Sequence, residues 1–419
     1  MGLSPFDTIA VLFVLASTFG YINHRWLKLP FAIGIMSAGL VTSFLLLAAN
    51  WALDLGIEEP ISRVLSDINF AETLMHGMLS FLLFAGALHT NMARLRKWAL
   101  PIFTLASLGV LISASIIGIL SYFVFDLVGV HVPLMFCFVF GALITPTDPV
   151  AVLGIMKAAG APKDVEIKVI GESLFNDGVG VVLFAVLLSI AVSESTGHSM
   201  GFYGIVHLIA VEVGGGILLG LAGGYITFLA LKSLEEPNLE TLISVSLVMG
   251  LTFIAFQLHT SAPLACVVAG LFIGNRGRDH AMGEDTELAI DIVWSFIDEA
   301  LNAILFLLVG FELFVIAFNA DYVIASILII IVGLFGRAMA VFIPITFLKT
   351  KLDFRKGTRR ILWWGGIKGG ISIALALSLP PFEGREIILA ATYATVIVSV
   401  LIQGLSIGKL IERLAQKPA

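Results

Sequence analysis

The sequence predicts an all-α polytopic membrane protein, and three observations carry that reading. Of its 419 residues, 58% are hydrophobic and only 13% are charged, against about 25% charged in soluble domains. The apolar residues gather into runs of spanning length, because a helix crossing the bilayer core needs about 20 of them. The basic residues sort onto alternate loops.

Taken in order, roughly thirteen spans are expected, at 5–22, 30–49, 71–90, 100–126, 131–157, 165–193, 203–231, 240–258, 262–273, 289–318, 322–348, 359–379 and 385–411. Leu3 to Phe19 lacks the basic flank and small-residue cleavage site of a signal peptide, so it reads as the first span. The run at 262–273 is short for a span. Twenty of the 24 Lys and Arg fall on one side, Arg94, Lys157, Lys168 and Arg413 among them, and only Arg63 and Arg385 on the other. That asymmetry puts the N-terminus outside and the C-terminus in the cytoplasm. The polar stretch Gly283-Glu284-Asp285-Thr286-Glu287-Leu288 is expected along the surface. No soluble regulatory domain is expected, and the two cysteines, Cys137 and Cys266, suggest neither disulfide nor metal site. No cofactor and no nucleic-acid partner is implied; the partner is the lipid bilayer.

Two spans are interrupted. Thr145-Pro146-Thr147-Asp148-Pro149 puts two prolines three residues apart, which removes donors and breaks the fifth helix. Trp364-Gly365-Gly366-Ile367-Lys368-Gly369-Gly370 interrupts the twelfth. Spans 1–6 (residues 1–193) and 8–13 (240–411) each hold six helices with the break in the fifth, and 203–231 links them. Paired interruptions at corresponding places point to inverted repeats of a secondary transporter, with the substrate site between them.

The sixth span carries Gly171-Glu172-Ser173-Leu174-Phe175-Asn176-Asp177-Gly178. Helical spacing puts Ser173, Asn176, Asp177 and Gly180 on one polar stripe. An ionisable side chain at membrane depth is costly and marks an ion or proton pathway. Asp177 can hold a cation or a proton but hardly both. Asp177, Asn176, Ser173 and Thr147 would supply the hard oxygen ligands that a partly dehydrated cation needs. Asp148 and Lys368 sit in the breaks, where each would offset the partial charge at half-helix ends. Arg337, deep in span eleven, needs a counter-charge, and Glu172 is the candidate; the competing role for Glu172 is a second proton carrier. Glu212, Asp291, Asp298, Glu299 and Glu312 either line a cation funnel or sit near helix ends, and helix ends are the expectation. The glycines from Gly214 to Gly224 permit close helix approach in span seven, within the chain or between subunits.

In their order along the chain, the Thr-Pro-Thr-Asp-Pro break, the Gly-Glu-Ser-Leu-Phe-Asn-Asp-Gly element, Gly336-Arg337 and the Trp-Gly-Gly-Ile-Lys-Gly break resemble the first cation–proton antiporter family, the NhaP-like relatives of sodium/hydrogen exchangers. The resemblance covers essentially the whole chain. It implies a homodimer formed through an outer dimerisation domain, and a core domain with crossed discontinuous helices that moves as an elevator. It implies that Asp177 binds cation and proton alternately, with Ser173, Thr147 and Asn176 nearby, and that Glu172 pairs with Arg337. An Asn-Asp pair implies electroneutral one-for-one exchange. The expected activity is antiport of sodium against protons at a bacterial inner membrane, with transported sodium held by Asp177, Ser173 and Thr147; potassium or a mixture of alkali cations is the alternative. Two departures stand out. Ala85, in Leu83-Phe84-Ala85-Gly86, occupies the place of a Glu in many relatives, so a coordinating carboxylate is expected to be missing. Lys368 replaces the usual Arg and keeps the charge without the planar fork. A passive channel would need a filter-like loop, and an intramembrane hydrolase would need an acid pair such as Asp148 and Asp177; neither a filter nor a nucleophile elbow is visible.

Overall fold

The computed structural model describes residues 5–53, 56, 77–195, 201–311, 319–348 and 357–415. Arg63, Glu312 and Lys417, residues 71–76 of the third expected span, and the basic residues from Lys349 to Lys356 lie outside the described residues. Among the described residues every regular element is helical.

In chain order these are α1 (Pro5–Ile22), α2 (Phe31–Leu53), α3 (Leu79–Leu88), α4 (Ala99–Leu127), α5 (Leu134–Leu143), α6 (Pro149–Ala158) and α7 (Lys163–Ser195). Then follow α8 (Tyr203–Lys232), α9 (Pro237–Gln257), α10 (Ala262–Phe272), α11 (Glu284–Phe311), α12 (Ala320–Leu348), α13 (Thr358–Trp364), α14 (Gly370–Leu377) and α15 (Arg385–Leu414). Nine of them are long and apolar enough to cross a membrane by themselves. The broken spans divide as expected, into α5 with α6 and α13 with α14.

Local chemistry sets several boundaries. Pro133 stands before α5 and Pro149 opens α6, where a missing N–H costs nothing. Ser261 caps α10 by accepting from Leu264 N, and the helical path continues beyond Phe272 through a π turn at Ile273–Gly277. The short run at 262–273 is therefore extended rather than isolated. Residues 284–288 are the first turns of the 28-residue α11 and not a separate surface segment.

Apolar side chains form two clusters. The larger draws on α1–α7 and α10–α15 and includes residues of both breaks. The smaller joins α3, α8, α9, α10 and α11 around Trp294, whose indole N–H donates to Ser244 Oγ at 2.9 Å. Ala85 is fully buried in this second cluster. The glycines of α8 from Gly215 to Gly224 serve packing within the chain: at Gly220 a Cβ would stand 2.9 Å from Val268 Cβ and closer still to the Ala265 carbonyl oxygen, whereas nothing lies within 4 Å of a Cβ at Gly214. Lys168, counted above with the loop cations, is fully buried, with Nζ 3.5 Å from the centre of the Trp98 ring and 3.2 Å from Asp164 Oδ2.

Overpacking a tight helix contact costs about 1–3 kcal/mol. Gly220→Val is accordingly expected to lower the thermal melting midpoint in detergent. Gly250→Val, where nothing lies within 4 Å of the new Cβ, is the control and is expected to leave the midpoint unchanged.

Candidate functional site

The two breaks meet. A proline has no backbone donor, so Pro146 and Pro149 leave carbonyls free at the end of α5, and in a bilayer each freed group must find a partner in the protein. Thr145 Oγ1 turns back to Gly141 O at 2.7 Å. Thr145 O accepts from Lys368 Nζ at 2.9 Å, and Ile367 O accepts from Asp148 N at 2.8 Å. Each break thus satisfies a group in the other. Side chains from α12 and α15 complete the set. Arg337 Nη2 donates to Leu362 O at 2.9 Å and Gln403 Nε2 to Trp364 O at 3.1 Å. Lys368 N donates to Ser399 Oγ at 2.9 Å. Ser399 and Gln403 bracket a π turn within α15, a distortion that commonly accompanies functional sites.

Glycine is required where these segments touch. A Cβ at Gly369 would lie 2.6 Å from Asp148 Cβ, and one at Gly366 would run into the Arg337 guanidinium. The Asp148 carboxylate therefore lies against the chain that leads into α14, near the positive end of that helix. Lys368 lies at the negative end of α5. Both dispositions follow the dipole rule.

Behind the breaks, α7 presents Glu172, Ser173, Asn176 and Asp177, all buried. Glu172 and Arg337 form a bidentate pair, with Nη1 2.6 Å from Oε1 and Nη2 2.7 Å from Oε2. Asn176 Nδ2 donates to Glu172 Oε1 at 2.9 Å and to Thr147 Oγ1 at 2.8 Å, while its Oδ1 accepts from Thr147 N at 3.3 Å. Ser173 Oγ lies 2.9 Å from Thr147 Oγ1. Asn176 and Ser173 thus stand behind Thr147 and hold it. Asp177 differs from its neighbours: it is 2% exposed, and its Oδ1 is buried without a hydrogen-bond partner.

Asp177 lines a cavity of about 330 Å³ together with Thr147 and Asp148. Of the expected ligand set, Asp177 and Thr147 reach this cavity, whereas Asn176 and Ser173 do not line it. Its walls come from α3, α6, α7, α11 and α14, and its mouth carries His89, Arg94, Lys157, Lys163 and Glu166. The α3 wall presents Leu83 and Gly86, and Ala85 faces the other way. Ala85 is not among the residues that line the cavity.

Of two further lining residues, Asn302 was not singled out from the sequence, whereas Asp298 was named as either lining a cation funnel or sitting near a helix end. Asp298 and Asn302 on α11 face the cavity, and Asn302 Nδ2 donates to Asp298 Oδ1 at 3.0 Å. Asp298 was expected near a helix end, but it sits mid-helix. The signal was the spacing Asp291, Asp298, Asn302, which is one helix face at intervals of seven and four. Asp291, on the same face, is clamped by Arg278 and lies 3.3 Å from His89 Nδ1. Among the described residues no three His, Cys, Asp or Glu side chains converge as a metal centre; the carboxylates line a path instead.

With this geometry in place, comparison with known proteins is informative. Residues 13–413 match the model of the transmembrane sodium/hydrogen exchanger family. The chain is 41% identical over 415 residues to a Na(+)/H(+) antiporter NhaP of Pseudomonas aeruginosa, covering 97% of this chain and 96% of that protein. It is 34% identical to a Na(+)/H(+) antiporter NhaH of Halobacillus aidingensis, covering 97% of each. Its fold is similar to the solved structure of the sodium proton antiporter MjNhaP1 from Methanocaldococcus jannaschii, with a TM-score of 0.79, 19% identity, and 98% and 99% of the two chains covered.

Removing one partner of a buried ion pair leaves an uncompensated charge, at about 3–5 kcal/mol. Glu172→Gln and Arg337→Met are each expected to lower the melting midpoint in detergent sharply. The double variant is expected to lose less than the two single losses added together.

Proposed function

The chain belongs to the sodium/hydrogen exchanger family, and on that premise we propose that it is an electroneutral antiporter exchanging one sodium ion for one proton at Asp177. The observation that carries this reading is the buried carboxylate of Asp177, a residue that lines the cavity and whose Oδ1 has no hydrogen-bond partner. A carboxylate oxygen left without a donor in a low-dielectric site is costly unless a proton or a cation joins it. The two then compete for the same lone pairs. Thr147 and Asp148 line the same cavity and carry further hard oxygens, the ligand type that suits sodium.

The neighbouring charges favour one-for-one exchange. Glu172 is engaged by both Arg337 Nη1 and Nη2 and by Asn176, which argues against its service as a second proton carrier. Asn176 is neutral and spends its amide on Glu172 and Thr147. One carboxylate therefore changes partner in each cycle.

The cavity mouth carries Arg94, Lys157 and Lys163, which belong to the cation-rich set of loops. By the positive-inside rule that side is cytoplasmic, and the state is open to the cytoplasm, with the N-terminus outside. A bacterial inner membrane fits this orientation and the bacterial relatives. Asp298 lies along the entry path and attracts cations towards Asp177. Alternating access is of the elevator type, with the helices around the crossed breaks moving as a body, and the two six-helix halves are inverted repeats. The large uncovered apolar faces of α1 and α8 suit a homodimer in the bilayer.

Proteoliposomes with an internal pH-sensitive dye test this reading. Sodium is expected to drive proton movement at a rate unaffected by clamping the membrane potential. A rate that follows the potential would contradict one-for-one stoichiometry, and a response to potassium alone would reassign the cation. Asp177→Asn is expected to abolish exchange while leaving the melting midpoint near that of the parent. Asp298→Asn is expected to raise the sodium concentration for half-maximal rate by roughly tenfold, with the maximal rate little changed.

A further inference from the structure

A second concavity lies apart from the cavity that Asp177 lines, where α12, α13 and α15 come together. Its volume is about 380 Å³. The floor is aromatic and aliphatic, formed by Phe342, Trp363, Trp364 and Leu410. Trp363 Nε1 donates to Leu334 O at 3.0 Å and Trp364 Nε1 to Ser406 Oγ at 2.8 Å. Both indole N–H groups are thus used within the protein, and what remains for the groove is apolar ring surface.

The rim is cationic. Arg360, Lys409 and Arg413 line it and are all exposed. Lys409 and Arg413 stand four residues apart, one above the other on α15. Arg359 packs its guanidinium 5.7 Å from the Phe342 ring centre. Among the described residues the lining holds no carboxylate; Glu412 is exposed on α15 but does not line the groove. The same helices carry Phe347, 74% exposed, and the exposed side chains Ile343, Ile402 and Leu405.

We propose that this groove binds the headgroup of an anionic phospholipid. The phosphate lies among Arg360, Lys409 and Arg413, the glycerol region rests on Trp363 and Trp364, and the acyl chains run down the apolar faces of α12 and α15. Basic pockets between membrane helices match anionic headgroups by charge, and tryptophan rings belong at headgroup depth. A soluble anion would gain the same three cations but nothing from the aromatic floor or the apolar faces beyond it. The occupied groove is joined to the exchange site through α13, whose carbonyls at Leu362 and Trp364 are held by Arg337 and Gln403.

The test is native mass spectrometry of the purified, delipidated protein titrated with phosphatidylglycerol, with phosphatidylcholine, or with sodium phosphate alone. Phosphatidylglycerol is expected to bind at least tenfold more tightly than phosphatidylcholine, and sodium phosphate to bind far more weakly than either arrangement of cations and chains would give together. Each cation near a charged lipid surface contributes about fivefold, so the triple variant Arg360→Gln/Lys409→Gln/Arg413→Gln is expected to lose more than tenfold in phosphatidylglycerol affinity. A control variant, Arg25→Gln/Arg96→Gln/Lys232→Gln, removes three exposed cations elsewhere and is expected to keep it. Equal binding of the two lipids, an equal loss in both triple variants, or full reproduction of the binding by sodium phosphate would overturn the proposal. Should the triple variant not yield folded protein, the single Arg413→Glu is expected to weaken phosphatidylglycerol binding at least fivefold, and unchanged affinity there would overturn it equally.

Discussion

The mutual hydrogen bonding of the two broken spans is the constraint on which the rest depends. Unpaired backbone groups at membrane depth cost several kcal/mol each, so neither break is tolerable alone. Asp148 N to Ile367 O and Lys368 Nζ to Thr145 O make each the other's solvent. This fixes where α5, α6, α13 and α14 point their ends, and it demands glycine at 366 and 369, where Arg337 and Asp148 pass. It also sets Thr147 opposite Asn176, and so places Thr147 at the cavity that Asp177 lines.

Charge is distributed around that junction with little slack. Arg337 neutralises Glu172 through two hydrogen bonds and still reaches the backbone of α13. Lys368 and Asp148 answer helix ends. Asn176, uncharged, connects the ion pair to the break. Asp177 is left with an unpartnered carboxylate oxygen and lines the cavity. On the proposed reading, Asp177 is then the side chain that trades a proton for a cation.

Much of this was legible in the sequence because it rests on residue types with few alternative uses at membrane depth. Two prolines three apart and a run of glycines announce breaks; a lone arginine in an apolar span demands a carboxylate. What the sequence could not reveal was direction. Ser173, Asn176 and Asp177 share one polar stripe of the helix, yet Asn176 and Ser173 bond to Thr147 while Asp177 lines the cavity. Ala85 and Gly86 are adjacent, but successive residues on a helix face different neighbours, and Ala85 packs near Trp294. Lys168 looks like a loop cation until Trp98 folds over it. Asp298 was readable by its spacing from Asp291 and Asn302, but helix ends offered the cheaper explanation for an acid in a long helix. The cation-rich groove on α15 needed three separate segments to be brought together, which no local pattern records.

The most direct test of the central claim is to count protons when sodium binds. Purified protein in a weakly buffered, acidic solution is mixed with sodium chloride, with choline chloride as the reference, and proton release is read from the pH while sodium binding is measured calorimetrically. Competition at a single carboxylate requires about one proton released for each sodium bound, and neither release nor binding in Asp177→Asn. Sodium binding without proton release, or release that persists in Asp177→Asn, would contradict the account.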